Sequence, residues 1–173
     1  MAISLYDLSV ASYLQTLSGV AGVLERGFDH FNDTNADPND IVETRLHDDM
    51  LPFKFQILSV SHHSIGAIEG LKKGVFNPPR AMPDVDYAGL RKLVTDAQEA
   101  LGKLTPAEVN ELEGKDMVFQ LGEFKMPFTA ETFVMSFSLP NFYFHATTAY
   151  DILRTNGVPL GKRDFMGKMR MKG

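Results

Sequence analysis

The sequence predicts an all-α protein, a four-helix bundle in a single domain that covers residues 1–173. Three observations carry this prediction. Apolar residues recur at alternating spacings of three and four along several long segments, which is the pattern of amphipathic helices. Residues that cap helices stand where these segments begin, and glycine or proline stands where they end. No repeat or low-complexity stretch divides the chain, and its length suffices to bury one core.

The first helix is predicted from Ser4, a good N-cap, to about His30, along an apolar stripe of valine, leucine and phenylalanine. Glycine weakens a helix interior, so the glycines of this segment are expected where another element approaches closely. They are Gly19, Gly22 and Gly27. Asp37 and Pro38 then form an N-cap and N1 pair, which predicts a short extra helix over 38–45.

The second long helix is predicted over 52–73, because Gly74 and the prolines after it stop a helix. Asp86 caps a third helix, and Thr105 begins a capping box that restarts a short one. The apolar period then changes to two on either side of Gly122, which predicts a small β-hairpin over 117–128.

The fourth helix is predicted to follow this hairpin directly. Thr129 is its N-cap, and the Asn156-Gly157 pair ends it. Pro140 stands inside the segment, where it removes a backbone donor and clashes with the preceding turn. We therefore expect a kink or a split at Pro140.

Composition excludes several classes of protein. The net charge is −5 and the two signs are interspersed, which argues against nucleic-acid binding. Cysteine is absent, so disulfides, thiolate zinc sites and cysteine nucleophiles are excluded, and a cytoplasmic location is expected. No apolar run approaches the ~20 residues that cross a bilayer, and the first residues lack the basic region of a signal peptide.

The fourth helix carries the best clue to function. At about 100° per residue, His145 lies in line with Phe142, Ala149 and Ile152, so its imidazole points at the core. A buried imidazole needs a hydrogen-bond partner or a ligand. Dinucleotide-binding, P-loop, zinc-protease and nucleophile-elbow motifs are missing from the sequence.

A pocket between the second and fourth helices is one interpretation of this histidine. Asn141 and Thr148 share its face, and His63 flanks the apolar stripe of the second helix. Such a pocket would suit a small-molecule ligand or a metal. The other interpretation is that His145 only satisfies a buried carbonyl or carboxylate. Glu69 also has two interpretations: it is a ligand or base near His62, or it pairs with Lys73, four residues on, on a solvent-exposed face.

The other side of the fourth helix is apolar as well, through Leu139, Tyr143 and Tyr150. A helix that is apolar nearly all round must be covered on more than one side. The hairpin or the C-terminal tail could cover it. A second subunit could cover it too, and exposed tyrosines with a leucine suit a two-fold interface, so we expect a homodimer.

Several motifs together resemble a known family. They run through most of the chain, as 3–7, 49–53, 63–70, 140–150 and 157–165. On these stretches the chain is identified as a member of the bacterial domain-of-unknown-function family numbered nineteen ninety-three, within the DinB/YfiT-like superfamily. The resemblance implies a DinB-type bundle that is usually dimeric. It also implies, in many members, a divalent metal held by three histidines, one from the second helix and a His-x-x-x-His pair from the fourth.

The sequence keeps only part of that ligand set. His63 matches the ligand of the second helix, and His145 matches one of the pair, but Asn141 stands four residues before it. A divalent metal would need a carboxylate such as Asp49 or Glu69 to complete the set. Two functions stay open: a divergent enzyme or metal-binding protein that uses the histidine pocket, and a non-enzymatic dimeric module that binds a small molecule or a protein over a vestigial metal site.

Overall fold

The computed structural model describes residues 3–79 and 83–172, and these are rich in helix. The α-helices are α1 (Leu5–Leu8), α2 (Val10–Asp33), α3 (Phe53–His62), α4 (Ile65–Lys73), α5 (Tyr87–Gly102), α6 (Pro106–Asn110), α7 (Ala130–Phe133), α8 (Leu139–Thr155) and α9 (Lys162–Met166). The strands are β1 (Val75–Phe76), β2 (Asp116–Leu121) and β3 (Phe124–Thr129). Helix α2 packs on α5 and α8, and α3 packs on α5 and α8.

The prediction of an all-α protein is wrong in one respect, because the three strands form a small sheet in the order β1-β2-β3. The hairpin of β2 and β3 is confirmed, with Val118 opposite Pro127 and Leu121 opposite Phe124. Strand β1 pairs in parallel with β2 and was not predicted. It has only two residues, which is too short to show a period in the sequence.

Two predicted helices are interrupted at buried serines. The first divides at Ser9, and the second, predicted unbroken over 52–73, divides at His63 and Ser64. Both serine hydroxyls donate to the carbonyl four residues back, Ser9 to Leu5 at 2.6 Å and Ser64 to Val60 at 2.7 Å. Serine competes in this way with the helix ladder and bends helices. Both serines are fully buried, so neither hydroxyl can turn to water.

The predicted fourth helix is divided as well. A π-helical segment, Val134–Ser138, joins α7 to α8, and Pro140 lies in the first turn of α8. The wider π turn accommodates the clash and the missing donor of a proline inside a continuous helix. The predicted N-cap at Thr129 is confirmed, and the helix ends before Gly157, whose φ is +92°.

The remaining helix ends follow the predicted caps. Asp86 accepts from the backbone of Gly89, and Thr105 and Glu108 form the capping box. The short helix predicted over 38–45 is a 3-10 turn at Pro38–Ile41. It is shorter than predicted, and Asp37 caps it by accepting from the backbone N–H of Asn39.

Close approach is found at two of the three glycines in α2. A Cβ at Gly19 would lie 2.1 Å from the carbonyl oxygen of Phe165, which packs the segment after α8 onto α2. A Cβ at Gly27 would lie 2.4 Å from the hydroxyl of Tyr87. The prediction is wrong for Gly22, where a Cβ would meet open space.

Candidate functional site

The site is built at the break between α3 and α4, where His63 ends the first of these helices. Its side chain is buried among aromatic rings, with Phe76 at 5.3 Å, Phe137 at 5.8 Å and His145 at 5.9 Å between ring centroids. The two imidazoles are nearly parallel, with an interplanar angle of 19°. The structure therefore brings together the two histidines that the sequence singles out.

His63 has an unusual electrostatic position. Its Nδ1 is buried and has no hydrogen-bond partner within residues 3–79 and 83–172. Burial lowers the pKa of His63 to about 3, and the neighbouring His62 and His145 lower it further by their own positive charge. The ring is therefore neutral at pH 7, and one buried polar atom is left without compensation.

A buried serine and tyrosine hold the backbone of His63 in place. The hydroxyl of Ser138, in the π-helical segment, donates to the carbonyl of His63 at 2.7 Å. The Oγ of Ser138 also lies 2.7 Å from the hydroxyl of Tyr13. Since Ser138 gives its proton to His63, Tyr13 donates to Ser138. This chain of two bonds joins α2, the π-helical segment and the break between α3 and α4.

His145 is half-buried and has a definite tautomer. Its Nδ1 lies 2.8 Å from Oε1 of Gln56, and the Nε2 of the same amide donates to the carbonyl of Leu51 at 2.8 Å. The amide oxygen can only accept, so Nδ1 of His145 carries the proton and its Nε2 carries the lone pair. Burial lowers the pKa of His145 to about 4.

Gln56 is the residue that the sequence interpretation missed. It is 2% exposed and lies on α3, seven residues before His63. Seven residues are nearly two turns, so Gln56 and His63 share one face of α3. A polar residue on the same face as an inward histidine was the signal that could have found it.

The other predicted members of the pocket do not reach the histidines through hydrogen bonds. Asn141 donates to the carbonyl of Phe137 at 2.7 Å, and Thr148 donates to the carbonyl of Phe144 at 2.8 Å. Both bonds run to the carbonyl four residues back along the chain. Asn141 is half-buried and Thr148 is buried, so their polar atoms are satisfied locally.

The carboxylates also lie apart from the imidazole pair. Glu69 is exposed on α4, and Asp49 is exposed and lies 2.7 Å from His47. In the part of the chain that the structure describes, no group of three or more histidine or carboxylate side chains is placed to hold a metal ion. Two imidazoles and a neutral amide do not fit a three-histidine centre for zinc or nickel.

His62, one residue before His63, lines a groove with a volume of about 440 Å³. Its Nε2 lies 2.8 Å from the carbonyl of Asn77, and its ring lies 4.5 Å from that of Phe76. Burial lowers the pKa of His62, against smaller raising effects of Asn77 and Glu69. Glu69 also lines this groove.

The predicted interface residues have different surroundings. Leu139 is 8% exposed and Tyr143 is 40% exposed. The ring of Tyr150 lies 6.0 Å from that of Phe165, close to the C-terminal helix α9. The segment after α8 therefore covers part of that helix, and Phe144, the residue after Tyr143, is exposed as well.

Comparison with known proteins identifies the class first. A crystal structure of a DinB family member from Shewanella denitrificans superposes with a TM-score of 0.83, over 98% of this chain and 95% of the other. The two sequences are 24% identical, so this likeness shows the fold alone. The protein has the fold of that DinB family member.

The family assignment is more specific. The family described as a domain of unknown function (DUF1993) matches residues 5–166, and the chain belongs to it. The family named on the motifs of the sequence is thereby confirmed. Comparison with curated proteins returns no match. Among the described residues, every helix is too short or too polar to cross a membrane.

Proposed function

We propose that this DinB-like protein is a non-enzymatic binding module for a small molecule, built as a four-helix bundle over a vestigial metal site. The observation that carries the proposal is the replacement of a third imidazole by amides. Gln56 holds the proton-bearing nitrogen of His145, and Asn141 is bonded to its own helix. The polar groups around the histidine pair are arranged for hydrogen bonding.

The alternative, a divergent enzyme that uses His145 as a base, has weaker support. A general base works best when its pKa lies near the working pH. Burial lowers the pKa of His145 to about 4, so its free nitrogen is a weak base at pH 7. His63 is weaker still, for the same reason.

The capacity to bind a small molecule rests on the groove beside His62. Its volume of about 440 Å³ is within the range of ligand sites, roughly 300–1,000 Å³. The groove combines a mainly apolar lining with a few polar groups, which is the composition of such sites. It lies against α3 through Phe55, whose ring is 5.7 Å from that of His145.

Elemental analysis of protein purified without a histidine tag tests the vestigial site. We expect no stoichiometric zinc, nickel or manganese. The matched variant Asn141→His restores a His-x-x-x-His pair with His145, and we expect it to bind Ni²⁺ or Zn²⁺ about tenfold more tightly or better. Stoichiometric metal in the unmodified protein, lost in His63→Ala and His145→Ala, would contradict the proposal.

Dimerisation is proposed separately, on the exposure of Tyr143 and of its neighbour Phe144, which is 57% exposed. Exposed aromatic residues are enriched in interfaces. Light scattering should give twice the mass of the chain, and Phe144→Glu should return the monomer. A monomer at all concentrations in the unmodified protein would remove this part of the proposal.

A further inference from the structure

We propose that the groove beside His62 binds a small amphiphilic cation, an apolar body that carries a primary ammonium group. The inference rests on the proposed function and names the chemical class of its ligand. It is carried by two hydrogen-bond acceptors of the groove, one on His62 and one on Glu69. Nothing in the comparisons with known proteins assigns this groove.

The first acceptor follows from the tautomer of His62. The carbonyl of Asn77 can only accept, so the Nε2 that lies 2.8 Å from it carries the proton. The lone pair of a neutral His62 is therefore on Nδ1. This nitrogen lies above Gly66, where a Cβ would come within 3.3 Å of it. The missing side chain at residue 66 keeps Nδ1 open to the groove.

The second acceptor, Glu69, determines the sign of the charge that the groove prefers in a ligand. Among the groove-lining residues that the structure describes, Glu69 is the one that carries a carboxyl group, and it is exposed on α4. A carboxylate and an imidazole lone pair both accept hydrogen bonds. An ammonium group supplies donors for both and a positive charge for Glu69, whereas a carboxylate ligand would supply neither.

The rest of the groove accounts for the apolar body. Phe55, Leu58, Ile65 and Leu93 contribute to its lining, from α3, α4 and α5. Burying apolar surface against such a lining is worth about 25 cal/mol per Å². The hydroxyl of Ser61, also in the lining, can donate or accept and so does not select a charge.

Three matched probes test the inference: 4-phenylbutylammonium, 4-phenylbutanol and 4-phenylbutanoate, which share one apolar body and differ in charge. Each is titrated into the full chain at pH 8 and low salt, with amide shifts in the NMR spectrum as the readout. The ammonium should bind about tenfold more tightly than the alcohol, as charged hydrogen bonds do. The carboxylate should bind most weakly, and the shifts should centre on Ile65 and Gly66.

Two variants locate the determinants. Glu69→Gln should weaken the ammonium about threefold, the range of an exposed ion pair, and leave the alcohol unchanged. Gly66→Ala should weaken binding of both the ammonium and the alcohol probe, because the added methyl group crowds Nδ1 of His62. Alanine favours helix over glycine, so the fold should survive. Glu111→Gln is the control, because it removes an exposed carboxylate that lies outside this groove.

The outcomes separate the two proposals. Equal affinity for the three probes, or preference for the carboxylate, would overturn the ligand class while the groove stayed a binding site. Binding of none of the probes at millimolar concentration would overturn the inference and remove the support for a small-molecule function. Unchanged affinities in both groove variants would show that the probe binds elsewhere.

Discussion

The two sides of the break between α3 and α4 carry adjacent histidines in opposite environments. His62 faces an open groove, and its one bonded nitrogen donates to a carbonyl on an exposed residue, Asn77. His63 faces a packed wall of aromatic rings and keeps a buried nitrogen without a partner among the described residues. Two consecutive residues on a helix point about 100° apart, so one step along the chain separates an open groove from a packed core.

This difference teaches that a histidine pair in sequence need not be a pair in function. The side of His63 is fixed by buried bonds, whereas the side of His62 is free to exchange partners with solvent or ligand. Substitutions should therefore be costly on the first side and mild on the second. The predictions below test this contrast, from the largest expected effect to the smallest.

Phe76 packs against both histidines, because its ring contacts His62 and His63. It is 3% exposed, so Phe76→Ala should lower the free energy of unfolding by about 3–5 kcal/mol. Urea denaturation followed by circular dichroism measures this. The control is Phe124→Ala, at a side chain that is 57% exposed in the same sheet, which should change stability by less than about 0.5 kcal/mol. Equal losses in the two variants would refute the distinction.

Ser138 fixes the packed side, because its hydroxyl links Tyr13 to the carbonyl of His63. Ser138→Ala leaves two buried groups without their partner and should cost about 1–3 kcal/mol. Ser136→Ala removes an exposed hydroxyl of the same π-helical segment and should be nearly neutral. If Ser138→Ala is as mild as its control, these bonds do not hold the break in place.

The pH dependence of stability should report His63. Its pKa is about 3 in the folded protein and near 6.5 when unfolded, so the unfolded chain binds the extra proton below pH 6.5. The contribution of neutral His63 to the free energy of unfolding is thus fully present above pH 6.5 and is lost as the pH falls toward 3. Between pH 7 and pH 5 the loss from His63 should be about 2 kcal/mol. Denaturation of His63→Phe at the same two pH values should show a loss smaller by that amount, and identical losses would be evidence against a buried neutral ring.

The open side should give the smallest effect. His62→Ala removes a bond to an exposed residue, whose carbonyl can turn to water instead. The expected loss is below about 1 kcal/mol by urea denaturation. A loss above 2 kcal/mol would place His62 with the packed side. The tenfold preference for an ammonium probe should fall to about threefold in the same variant, the part that Glu69 supplies, which ties the mild stability effect to binding.

The sequence predicted the elements that depend on local chemistry. The caps at Asp86, Thr105 and Thr129 are local hydrogen bonds between a side chain and the next turn, and all three are present. The inward direction of His63 followed from helix geometry. The hairpin followed from a change of period around Gly122.

What the sequence did not reveal depends on contacts between distant segments. The break at His63 is held by Ser138, which is 75 residues away, and no local pattern announces it. The bond between Gln56 and His145 joins residues 89 apart. The groove of His62 is lined from α3, α4 and, through Leu93, α5, so it depends on how these helices pack. Such features need the positions of whole helices.

The π-helical segment Val134–Ser138 has a consequence for the alignment of relatives. A π turn holds about one residue more than an α turn, so deleting one residue there would close a regular helix. The same turn would then be made with one residue fewer, so α8 would keep its orientation relative to α7. His145 would stay beside Gln56. A single gap in this segment of a homologue would therefore mark a protein that has a regular helix here and keeps the same inward residue.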